Sequence, residues 1–150
     1  MLAYEDHVTY NKFMAYSTCS AADFFHPRFA QICGMFNQPP WFHRKVWEWV
    51  YIIHKLQDAR VLGHGKRGLV FGVGQERLPA LFAGLGASIV ATDAPSEIYA
   101  HWNSSKEYSD SLDKLRYPEI VPNHIFDQNV SFMHCDMKSI DDNLTGFYFC

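Results

Sequence analysis

The chain has 150 residues, 48% hydrophobic and 19% charged, with a formal net charge of −3. That length and apolar content suit one domain with its own core, and the mild negative charge lacks the electrostatic footprint of a general nucleic-acid binder. The start carries Glu5 and Asp6 where a secretory signal would be positive, and no apolar run reaches the length of a membrane span, so the sequence predicts a soluble, cytoplasmic protein with no membrane partner.

Residues 1–36 are rich in aromatics, among them Tyr4, Tyr10, Phe13, Tyr16, Phe24, Phe25, Phe29 and Phe36, without a sustained period. Short helices and loops are expected. Two roles stay open: a lid that closes over a ligand, since aromatic side chains bury much area with few rotatable bonds, or a cover for an exposed flank of a sheet. Pro39-Pro40 marks a boundary, because each proline restricts its own φ and disfavours helix in the residue before it. The main domain is therefore expected over 37–150.

A helix is expected over about 41–62, with Val46, Trp49, Val50, Ile53 and Leu56 on one apolar stripe and Arg44, Lys45, Glu48, Lys55 and Asp58 mostly off it. Trp41, Trp47 and Trp49 are read either as core or as including a ligand contact. Gly63 and Gly65 end this helix and lead into a short apolar run over 68–71.

That run opens a strand, turn, helix, strand sequence over 68–93. Gly72-Val73-Gly74 supplies two residues without a Cβ, allowing a sharp turn and a close ligand approach. Leu78, Leu81, Phe82 and Leu85 recur at helical spacing, Pro79 suits a first turn, and Gly84 and Gly86 stop the run. A second strand over 88–92 ends on Asp93, roughly 20 residues past the glycine turn, the separation that a nucleotide-binding βαβ unit places between its turn and a ribose-binding carboxylate. An ionised Asp93 can accept charge-assisted hydrogen bonds from both ribose hydroxyls. The plainer alternative makes the glycines packing residues and Asp93 the N-cap of a helix near Pro95.

The next helix is expected over 95–108, with Trp102 where a base could stack, followed over 112–129 by a helix and a loop containing Pro118 and Pro122. A third strand over 130–135 delivers Asp136-Met137 to its carboxyl end, and Asp141 and Asp142 follow. Residues 146–150 read as the opening of a fourth strand. A sheet that stops there leaves an edge and an apolar face, so a truncated domain with self-association or a partner segment is expected. Cys19, Cys33, Cys135 and Cys150 are too scattered for a Cys-x-x-Cys pair and read as reduced thiols; the eight histidines show no metal-ligand spacing, so no metal is expected.

At Phe71-Gly72-Val73-Gly74, Val90-Ala91-Thr92-Asp93 and His134-Cys135-Asp136-Met137 the chain resembles the class I S-adenosylmethionine-dependent methyltransferases. The resemblance covers about 67–150 and implies a Rossmann-like α/β fold, doubly wound around a mainly parallel sheet, with S-adenosylmethionine as cofactor. It implies that Gly72, Val73 and Gly74 lie against the methionine part of the cofactor. Asp93, with Ala94 beside it, would bind the ribose hydroxyls. Asp136 would hold the adenine amino group, and the backbone N–H of Met137 a ring nitrogen. The chain departs from that pattern at Val70, where the family often has an acidic residue, and at Glu76, where a third glycine is usual.

Methyl transfer from a sulfonium depends on in-line positioning and removal of water, so few side chains need do chemistry. His134, His101 and Tyr108 are candidate bases near the expected crevice, but a structural role is the expectation for each and no base is assigned. The methyl acceptor is not legible. Two other functions remain: a dinucleotide-binding oxidoreductase domain taking NAD, although Gly72-Val73-Gly74-Gln75-Glu76-Arg77 puts a bulky arginine where the fingerprint has its last glycine, and a non-catalytic remnant that acts through protein interaction.

Overall fold

The computed structural model describes residues 12–99 and 108–140. The chain divides into two compact units, Met1–Arg60 and Val61–Cys150.

Three helices build the described part of the first unit: α1 Ala21–Phe24, α2 Pro27–Met35 and α3 Arg44–Asp58. Each begins where a side chain satisfies an amide that the first turn leaves unpaired. Ser20 accepts from Ala22 N at 3.3 Å, His26 Nδ1 from Arg28 N at 3.1 Å, and His43 Nδ1 from Lys45 N at 3.1 Å. Because His43 caps α3, that helix starts at Arg44 rather than near residue 41, and Trp41 stays outside it and 61% exposed. Its other end comes earlier too, since Arg60 turns left-handed at φ +56°. Val46, Val50 and Ile53 of the stripe are buried, with Phe29, Ile32, Cys33 and Phe36 of the first unit. Each such side chain contributes on the order of 1.5–3 kcal/mol when fully removed from water.

Trp47 is core for a second reason. Its Nε1–H donates to Asp23 Oδ2 at 2.8 Å, while Asp23 Oδ1 accepts from Met14 N at 3.0 Å. The buried carboxylate is thereby hydrogen-bonded, as burial of a charge demands. Trp49 is half-buried, edge-on to Phe36 with ring centroids 6.0 Å apart.

The second unit is α/β. Among the described residues its sheet has three parallel strands in the order β1-β2-β3: β1 Arg67–Val70, β2 Ser88–Asp93 and β3 Val130–His134. The small open sheet is compatible with one half of a Rossmann-like sheet, in which the first strand lies inside the second and third. Helix α4, Leu78–Gly84, crosses from β1 to β2 and ends in a two-bond cap: Ala87 N donates to Phe82 O at 3.0 Å and Gly86 N to Ala83 O at 2.9 Å. Gly86 fits because this cap needs a positive φ, here +89°.

Helix α5 covers Ser96–Tyr99; the rest of the helix expected over 95–108, with His101 and Trp102, lies outside the described residues. The order expected over 112–129 is reversed. A 3₁₀ turn, Leu112–Leu115, comes first, the two prolines interrupt the middle, and helix α6, Asn123–Asn129, runs directly into β3. Pro122 is the N-cap of α6, a position where its missing N–H costs nothing. Asp141, Asp142 and the strand expected over 146–150 lie outside the described residues. Among the described residues no helix is long and apolar enough to cross a membrane.

Candidate functional site

The three strand ends named from the sequence converge at one end of the sheet, because parallel strands point their carboxyl ends the same way. After β1 the chain turns through Gly72 at φ +56° and Gly74 at φ +53°, a left-handed conformation that glycine adopts without strain. Val73 between them is fully buried and donates its N–H to Thr92 O at 2.9 Å, which folds the turn onto the end of β2. The Thr92 hydroxyl completes the junction by donating to Val70 O at 3.1 Å. A Cβ added at Gly72 would meet nothing within 4 Å, so the backbone there faces open space.

Asp93 sits at the centre of this end. The residue is 6% exposed, and three backbone amides converge on its carboxylate. Oδ2 accepts from Gly74 N and Ser109 N, both at 3.0 Å, and Oδ1 accepts from Ala94 N at 2.9 Å. Its main-chain oxygen accepts from Cys135 N at 2.8 Å, tying the loop after β3 to the same point. These donors come from the glycine turn, from the residue after Asp93 and from residue 109, so the carboxylate ties these segments to the end of β2. Three donors fill three of the roughly four acceptor positions of a carboxylate.

Asp136 and Met137 follow on a tight turn. Asp136 Oδ1 accepts from Lys138 N at 2.9 Å and its carbonyl from Ser139 N at 2.9 Å, while the Met137 side chain is exposed. His134, paired in register with Asp93, is exposed and lies edge-on to Phe132, ring centroids 5.3 Å apart. Tyr108 is partly exposed, with Lys114 Nζ 4.9 Å from its ring centroid.

Sequence reasoning missed two contributors. Ser109 is fully buried and gives Asp93 a backbone N–H, a group that every residue but proline carries, so its type offered no signal. Tyr117 braces the glycine turn by donating its hydroxyl to Gln75 O at 2.5 Å. Burial pushes its phenol above the ordinary value, keeping the proton that bond needs. The Arg77 guanidinium covers the Tyr117 ring at 4.7 Å and pairs with Glu119 at 3.0 Å.

Among the described residues no group of three or more His, Cys, Asp or Glu side chains could hold a metal ion. A half-open groove of about 290 Å³ lies at the opposite end of the sheet, where Arg67, Ser88 and Val130 begin their strands. No protein-family model, curated protein or solved structure matches the chain.

Proposed function

We propose that the second unit is a Rossmann-like cofactor-binding domain of the methyltransferase type, which holds S-adenosylmethionine at the carboxyl end of its sheet and serves methyl transfer to an acceptor. The observation that carries this reading is the convergence of the Gly72-Val73-Gly74 turn, Asp93 and the Asp136-Met137 turn at one sheet end, tied through Asp93. The residues present fit such a group in kind. The open face at Gly72 accommodates close approach to the backbone, Asp93 supplies an acceptor, and Asp136 and the Met137 N–H lie on the neighbouring turn.

The bound cofactor would supply an electrophilic methyl on a cationic sulfonium. The chain's part is to bind, orient and exclude water, with carboxylates Asp93 and Asp136 favouring a cation. A dinucleotide fits less well, because its pyrophosphate needs free amides at a helix start. Here α4 is only seven residues long, carries Pro79 in its first turn, and is preceded by Arg77 already paired with Glu119. The rival reading is a non-catalytic remnant, favoured by the three amides that already engage Asp93.

Calorimetric titration with S-adenosylhomocysteine, with NAD as control, separates these readings. Saturable binding of the first alone is expected, weakened about tenfold in Asp136→Ala, the loss of roughly one charge-assisted hydrogen bond. Absence of binding by the folded protein would leave the remnant reading.

A further inference from the structure

We propose that the stretch 108–111 acts as an internal stand-in for the ribose: the Ser109 N–H holds Asp93 in the ligand-free chain and leaves it when an adenosyl ligand enters. The inference rests on the adenosyl reading above. It follows from counting acceptor positions. Two ribose hydroxyls need two of the roughly four positions on the carboxylate, and three are filled, so one amide must give way.

The three amides are not equally free to leave. Ala94 is the neighbour of Asp93 in the chain, so its N–H stays close whatever binds. Gly74 belongs to the turn that Val73 N pins to Thr92 O and Tyr117 braces at Gln75. Ser109 comes from 16 residues further on, in a stretch outside any helix or strand. Its hydroxyl donates to Ser111 O at 2.9 Å, and Asp110 pairs with Lys114 Nζ at 3.1 Å, so these bonds tie the short turn to itself and to the adjoining 3₁₀ turn. The anchor lies beyond it, where Leu115 is fully buried and the 3₁₀ turn packs on β3. Ser109 is itself fully buried, so its departure uncovers space beside Asp93 for the ribose to fill.

A ligand that must first displace Ser109 binds with an affinity reduced by the fraction of chains already open. Ser109→Pro removes the competing N–H and is expected to bind S-adenosylhomocysteine about tenfold more tightly than the unaltered chain, the change equivalent to one weakened hydrogen bond to a charged acceptor. Amide exchange by NMR on the unaltered chain supplies a second readout that does not depend on that variant folding. Ser109 should be protected in the free protein and lose protection when S-adenosylhomocysteine binds, while Gly74 and Ala94 stay protected. Binding with Ser109 protection retained and no gain in a folded Ser109→Pro would overturn the stand-in and leave the adenosyl reading intact. Failure of both folded proteins to bind would overturn the two together.

Discussion

Phe13 lies between two imidazoles, stacked on His26 with ring centroids 4.6 Å apart and tilted against His54 at 4.9 Å. The His54 side chain is 13% exposed, and its Nε2 is 3.4 Å from Asp58 Oδ2. Burial pulls its pKa below the ordinary value; Asp58 opposes that, while Lys55 and Arg28 act with burial. The unfolded chain therefore takes up this proton first as pH falls. The stability His54 contributes is fully present above about pH 6.5, declines as pH drops through that unfolded value, and levels off below the folded one. The urea midpoint followed by tryptophan fluorescence should be lower at pH 5 than at pH 7.5, and His54→Gln should reduce that difference. An unchanged difference would remove His54 from the account. At this scale Asp93 was legible because a carboxylate closing a strand has few uses. Ser109 and Met14 were not, because each acts through a backbone N–H, and Met14 does so from a left-handed φ of +51° that its residue type disfavours.

The turn after β1 and the cap after α4 both depend on glycine, for different reasons. At Gly72 only φ requires it, whereas at Gly86 a Cβ would also stand 3.2 Å from His64 Cα, a backbone atom that cannot yield cheaply. Gly72→Ala should cost about 1–2 kcal/mol of left-handed strain, and Gly86→Ala distinctly more, as read from chemical unfolding of the two variants. Equal losses would contradict the contact at His64. The strands and α4 could be read from apolar runs and glycine stops because those signals are local. The reversed order between residues 112 and 129 could not, since a proline announces an interruption without saying which side stays helical. Likewise, the start of α3 is decided by His43, a residue seldom used as a cap.

At the scale of the molecule, α2 and α3 pack together and the first compact unit ends at Arg60. The sequence reading marks a boundary at Pro39-Pro40 from the restricted φ of proline, a local signal, whereas a compact unit is defined by contacts between distant residues. Residues 61–66 then lead into β1 without a helix or strand, and Lys66 is exposed. Limited trypsin digestion should yield early fragments ending at Arg60 or Lys66. Persistent resistance there would show that the connection is protected.

The bonds on Asp93 join distant parts of the chain. They reach back 19 residues to Gly74 and forward 16 to Ser109, and its carbonyl waits for Cys135 beyond β3. Contacts of that span form only after intervening loops have closed. The full set of bonds on Asp93 is therefore complete only when the third strand has docked, and on the proposed reading the amount of S-adenosylhomocysteine bound at saturation should count the fully assembled molecules.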